Sequence, residues 1–139
     1  MNQIQRAKPV TERTIFQRLS AEFSAAFPPE AEAFLMKNGR GCPDRPVFRA
    51  KGREYHLSRF LSASAADEFN LYSAADMLQE DTPEPLMLPF AENGFGDYYC
   101  LGFEDGEPVG VLFWDHEEGT ADLLFEQFSE LLQAMDLAE

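Results

Sequence analysis

The second half of this chain lacks positive charge. Between Phe60 and Glu139 there is no lysine or arginine, while nineteen aspartates and glutamates fall there, a formal −19. The first 59 residues hold all eleven basic residues against six acidic ones, a formal +5, and the whole chain carries −14. Asymmetry of this size speaks to partners rather than to fold. It argues against direct binding of nucleic acid or anionic lipid by the acidic half. It favours fast, salt-sensitive encounter with a basic protein surface.

Cysteine and histidine are scarce as well. Cys42 and Cys100 are the only cysteines and form no CxxC pair, so they read as reduced, structural thiols. His56 and His116 are the only histidines, and no HxH or HxxxH pair occurs. No apolar run approaches the ~18 residues that a bilayer span needs. The stretch MNQIQRAKPVTERTIFQRL has no uninterrupted apolar core of the kind an export signal carries, and a cytoplasmic protein is expected. What the chain does have is apolar mass. Hydrophobic residues make up 45% of 139 positions and include thirteen phenylalanines. That suffices for one domain with a real core, without metal or disulfide.

Periodicity predicts helices near both ends and strands between them. Residues 1–11 are polar with a lone Pro9 and read as a flexible arm, leaving 12–139 as the domain. Ile15, Leu19 and Phe23 recur every four residues, which predicts an amphipathic helix from Glu12 to Phe27. Pro28-Pro29 ends it and starts another helix, PEAEAFLMK, closed by a left-handed cap at Asn38-Gly39. Val47, Phe48, Tyr55 and Leu57 flank Lys51-Gly52 as a hairpin. EFNLYSAADMLQE reads as a short helix presenting Leu71, Ala75 and Leu78, and Leu86–Phe90 as a strand. TADLLFEQFSELLQAMDLAE is expected as the closing helix, capped by Thr120. In it Leu124, Phe128, Leu131 and Met135 form the apolar stripe, and Asp122, Glu126, Glu130 and Asp136 an unrelieved acidic face.

The stretch NGFGDYYCL looks at first like a phosphate loop, but such a loop needs a helix N-terminus after its glycines. Here a strand pattern follows. Tyr98, Cys100 and Gly102 point one way, and Tyr99, Leu101 and Phe103 the other, so the strand is covered on two sides. The glycines serve backbone conformation, and Asp97 bonds nearby amides. Asp105-Gly106 then turns the chain into PVGVLFWD. A two-residue turn predicts that Tyr98 faces Phe113, Tyr99 faces Leu112, Cys100 faces Val111 and Leu101 faces Gly110. At the far end, Asp115, His116 and Glu117 offer metal-ligand chemistry, but strand neighbours point to opposite faces. A set would need His56 or a distant acid to complete it, and neither metal nor cofactor is expected. A Cys100–His116 nucleophilic pair is weighed against an inert buried thiol, and the apolar strand favours the latter. No GxSxG serine or acid–base pair stands out, so no catalytic residue is assigned and no enzyme is expected.

PPEAEAFLMKNGRG, LPFAENGFGDYYCLGF, PVGVLFWDHEEG and LLFEQFSELLQAM, in that order, resemble the SUKH superfamily. That superfamily includes cell-wall-assembly regulator-like domains and many bacterial immunity proteins. The resemblance implies an α+β fold, with an antiparallel sheet flanked by N-terminal and C-terminal helices. It marks Gly94, Gly96, Asp97, Trp114 and Asp115 as fold-defining positions. It also implies a non-catalytic protein that binds and neutralises a cognate toxin, typically one that acts on nucleic acid. With the acidic half, this points to a toxin with a basic surface. Glu104, Asp105, Glu107, Glu117 and Glu118 are the candidate contacts. A regulatory adaptor that binds a housekeeping protein is the alternative, and a homodimer is compatible with either.

Overall fold

The β pattern of the middle of the chain becomes one five-stranded antiparallel sheet in the computed structural model, which describes residues 1–137. Its strands are β5 (Arg59–Phe60), β6 (Leu86–Glu92), β7 (Tyr98–Glu104), β8 (Glu107–Asp115) and β9 (Thr120–Phe125), in that spatial order. Two short antiparallel pairs accompany it: β1 (Ile4–Gln5) with β2 (Cys42–Pro43), and β3 (Val47–Ala50) with β4 (Arg53–His56). The helices are α1 (Thr14–Phe23), α2 (Pro29–Asn38), α3 (Leu71–Asp81) and α4 (Phe128–Ala134). The α+β architecture is the one the sequence predicts. Among the described residues, no helix is long and apolar enough to cross a membrane.

The alternation in β7 sorts its side chains between two cores of unequal size. Tyr99, Leu101 and Phe103 join the main core with Phe16 and Leu19 of α1, Leu35 of α2, Phe48 and Tyr55 of the β3–β4 hairpin, and Phe128 and Leu131 of α4. The Tyr99 hydroxyl donates to the His56 carbonyl at 2.8 Å, tying that hairpin to the sheet. Cys100 faces the other way, into a small cluster with Met87, Leu112, Trp114 and Leu78 of α3. Helix α3 serves both cores, since Leu71, Ala74 and Ala75 belong to the main one. Its start is well specified: Asn70 accepts from the Ser73 backbone N–H, and the Ser73 hydroxyl accepts from the Asn70 N–H.

Several expectations need correction. The first eleven residues do not hang free. Asn2 is buried, donates to the Arg45 and Met135 carbonyls, and accepts from the Arg45 N–H; Lys8 and Val10 donate from their backbones to Gly39 and Met36. Helix α1 stops at Phe23, well before Pro28, because Ser24 turns left-handed. Gly39 is not the left-handed cap of α2; Arg40 takes that conformation (φ 68). Gly39 is small for another reason: a methyl there would lie 3.0 Å from the Ala63 nitrogen and the Leu35 carbonyl.

The largest correction is at the end of the chain. Thr120–Phe125 is strand β9 rather than the first turns of a helix, paired to β8 from Thr120 to Leu123 and again at Phe125, with a register shift at Leu124. The apolar spacing of Leu124, Phe128 and Leu131 spans a strand and a helix that both feed the main core. Thr120 therefore caps nothing, and Gln127 precedes α4 with its N–H on the Glu130 carboxylate. The acids Asp122, Glu126, Glu130 and Asp136 are spread over a strand, a link, a helix and the turn after it, so no like-charged helical face forms. Ala138 and Glu139, the end of the expected helix, lie outside the described residues.

The β7–β8 register also departs by one residue. The turn at Asp105-Gly106 pairs Glu104 with Glu107 as expected, but a bulge follows between Phe103 and Gly102. Beyond it Gly102 faces Gly110, Leu101 faces Val111, Cys100 faces Leu112, Tyr99 faces Phe113 and Tyr98 faces Trp114. Val109 is the extra residue, and Gly110 absorbs the distortion at φ +148. A β-carbon at Gly110 would sit 2.5 Å from the Phe125 carbonyl oxygen. Gly110→Ala should therefore destabilise the protein by about 3 kcal/mol, read as a lower urea midpoint at unchanged slope. Gly52→Ala, whose added methyl meets nothing within 4 Å, should cost only about 1 kcal/mol for its left-handed backbone.

Candidate functional site

The end of the sheet opposite the Asp105-Gly106 turn carries most of the unusual chemistry. There the loop Asn93–Asp97 enters β7 and the turn His116–Gly119 leaves β8. Asn93 is buried, and its side-chain oxygen accepts from the Phe95 and Asp97 N–H groups at 2.8 and 3.2 Å. Gly94 and Gly96 both take positive φ, 83° and 97°, so each fits the turn that the glycines predict. The Asn93 amide then donates to Asp97 Oδ2 at 2.8 Å.

Asp97 links the two turns. Its Oδ1 accepts the His116 backbone N–H at 3.0 Å and lies 2.6 Å from His116 Nδ1. Gly96 leaves room for that ring, since a β-carbon there would meet it at 3.0–3.2 Å. Asp115 holds the next turn, accepting from the Glu117 and Glu118 N–H groups at 2.9 and 3.2 Å. Asp97, Asp115 and His116 thus bring three potential metal-ligand atoms within 4.8 Å of one another. The distant acid that could join them is Asp97; His56 and Glu117 are not in the set. Hydrogen bonding across the two turns accounts for the closeness of these three side chains.

The pair perturbs both of its members. Partial burial pushes the Asp97 carboxyl up, but hydrogen bonds from the His116 backbone, the His116 ring and Asn93 outweigh it and hold the group below its ordinary value. The hydrogen bond to Asp97 raises His116, aided by the charges of Asp97, Glu117 and Asp115. Cys100 is fully buried, and burial pushes its thiol far up. The His116 ring is engaged with Asp97, so no Cys100–His116 pair is assembled.

Beside this corner runs a groove of about 660 Å³ between the last turn of α3 and the second face of the sheet. Met77, Leu78, Glu80 and Asp81 form one wall, and Gly96, Tyr98, Trp114 and His116 the other. Tyr98 and Trp114 stack with centroids 6.2 Å apart and planes 27° from parallel. Met77 is exposed at 48%. Sequence reading did not find this groove, because its walls come from segments joined only by folding. The one local signal was the pair of acids, Glu80 and Asp81, ending a helix that has no basic residue in its last turn.

The candidate contact acids are all exposed, but they form two groups. Glu104, Asp105 and Glu107 surround the β7–β8 turn, while Glu117 and Glu118 lie in the β8–β9 turn. Strand β8 separates them, nine residues long and so about 27 Å. Among the described residues, none of the five has a salt-bridge partner. Among the described residues, Lys and Arg reach three of the acids beyond Phe60: Lys8 pairs with Asp67, Arg59 with Glu92 and Arg45 with Asp136.

Sheet, helices and the glycine–aspartate entry into β7 define an α+β domain with strongly segregated charge. The chain matches the SMI1 / KNR4 family (SUKH-1) over residues 9–134, and it belongs to that family. No curated protein matches it.

The Asp97–His116 pair sets a pH window. His116 titrates above its ordinary 6.5, so its contribution is full below that pH and is lost as pH rises through its folded value. Asp97 titrates below its ordinary 3.8, so its contribution is full above that pH and is lost as pH falls through its folded value. Between the two the pair acts at full strength. NMR titration of the His116 ring should show a raised midpoint that falls toward the ordinary value in Asp97→Asn, where the charges of Glu117 and Asp115 remain. Thermal melts should show the stability difference between the two proteins shrinking above neutral pH.

Proposed function

We propose that this chain is an immunity protein, one that binds and neutralises a protein toxin acting on nucleic acid. The observation that carries the reading is charge segregation within a SUKH-1 domain. Nineteen acids and no lysine or arginine follow Phe60, and among the described residues only three of those acids are paired with Lys or Arg. A toxin that grips a polyanion needs a basic cleft. Carboxylates without local counter-ions complement such a cleft and steer encounter with it. In this reading Glu117 and Glu118 act from one end of β8, and Glu104, Asp105 and Glu107 from the other. They form two acidic points of contact rather than one patch.

Calorimetric titration against the toxin domain encoded beside this gene tests the proposal. Nanomolar affinity is expected, weakening at least about tenfold between ~50 and ~500 mM salt as the charges are screened. Tight binding insensitive to salt would keep the immunity role and discard charge as its basis. No binding at either salt would overturn it and leave the adaptor reading in its place.

A further inference from the structure

We propose that the groove between the end of α3 and the Trp114 face of the sheet receives an arginine or lysine side chain of a basic partner protein. This rests on the toxin-binding reading above and names the place on the chain where that contact is made.

Four observations converge on it. The stacked rings of Tyr98 and Trp114 line one wall, and aromatic faces attract cations. The same molecule already uses that contact elsewhere, with the Arg18 guanidinium 3.8 Å from the centre of the Tyr72 ring. Opposite stand Glu80 and Asp81, both exposed and, among the described residues, without an ion-pair partner. They sit at the negative end of the α3 dipole, where acids are disfavoured and bases are the usual choice. A local conflict of that kind is expected where function demands it. No lysine or arginine of this chain lines the groove, so the rings and carboxylates are left to an outside cation.

The remaining observation concerns Trp114 itself. It is 6% exposed, and its indole Nε1 is buried without a hydrogen-bond acceptor, alone in this among the side-chain atoms of the described residues. Buried donors are almost always satisfied. Arginine and lysine carry no acceptor for this donor, so the orphan marks Trp114 as an incompletely satisfied residue of the wall and the cation is recognised by the rings and carboxylates. Met77 at the mouth adds a flexible, polarizable side chain suited to an incoming aliphatic stem. The one group of the sheet-side wall that can become cationic, His116, has its ring on Asp97, which offsets its charge.

Trp114 is the only tryptophan in the chain, so its fluorescence reports on the groove directly. The probe is the pentapeptide acetyl-Gly-Arg-Gly-Arg-Gly-amide, with its glutamine counterpart as the neutral control. A saturable change is expected with the arginine peptide and none with the glutamine peptide. Glu80→Gln/Asp81→Asn should weaken the response at least about fivefold, while Glu12→Gln/Glu22→Gln, the same charge change at residues that do not line the groove, should leave it within about twofold. No response, an equal response to both peptides, or equal weakening in both variants would overturn the proposal. Titrating the same variants against the toxin domain separates the two claims. Unaltered toxin binding by Glu80→Gln/Asp81→Asn removes the groove and leaves the immunity role standing. Failure of the unsubstituted protein to bind the toxin removes the immunity role, and the peptide titration then decides the groove by itself.

Discussion

Strand β7 is buried on both faces, and the rest of the fold is arranged to cover it. A strand with Tyr99, Leu101 and Phe103 on one side and Cys100 on the other needs an apolar layer against each. The layers are unequal. Helices α1, α2 and α4 and the β3–β4 hairpin pack over the first face, each fully buried side chain there contributing roughly 1.5–3 kcal/mol. The second face is left to the end of α3 and one buried leucine, Leu78. Sheet surface therefore continues past the edge of its cover. Leu123 of β9 and Val109 of β8 remain more than 40% exposed, and the groove opens where α3 ends. It follows from having two faces to bury and only the end of one helix for the second.

Charge follows the same division. Three cations of the basic first half lie along seams with the second half, while Arg13 and Arg49 pair with first-half acids, Glu32 and Glu54. Lys8 holds the segment before α3 through Asp67, Arg45 holds the turn after α4 through Asp136, and Arg59 holds the end of β6 through Glu92. Such partly exposed pairs contribute little stability each, about 0–1 kcal/mol. Their larger effect is on what they leave behind. Among the described residues, no lysine or arginine lines the groove at the end of α3, and none pairs with the acids of the turns flanking β8. A protein with an evenly mixed surface would screen those carboxylates from within; here only salt and a partner can.

Features carried by neighbours in the chain were legible in the sequence. The two-sided β7, the turns at Lys51-Gly52 and Asp105-Gly106, and the glycine loop before Asp97 all follow from local pattern and turn chemistry. The misreadings share one cause, which is that tertiary pairing overrode a local signal. Leu124, Phe128 and Leu131 keep helical spacing across a strand–helix boundary, so periodicity alone could not find β9. The bulge at Val109 follows from the fit of Gly110 against Phe125, a residue fifteen positions on, and nothing local announces it. Asn2 looked like the polar start of a loose arm, yet its amide is the knot joining the Arg45 turn to the end of α4. The Asp97–His116 bond spans 19 residues. Both members were noticed in the sequence, each for a different reason, and only the hairpin brings them together.

That bond connects the fold to the groove. Gly96 and His116 line the same cavity as Trp114, so the hydrogen bonds that begin β7 and end β8 also hold that wall in place. A wall fixed before binding loses little conformational entropy when a partner arrives, and pre-organisation of this kind raises affinity without adding contacts. The opposite wall is the last turn of α3, where Leu78 anchors the helix from below and leaves Glu80 and Asp81 exposed above it. Specificity then rests on spacing. A cation must reach the carboxylates and an aromatic face together, a demand that a diffuse acidic surface does not make. The acidic half of the chain thereby combines long-range attraction, which is indifferent to the detail of a partner, with one short-range site that is not.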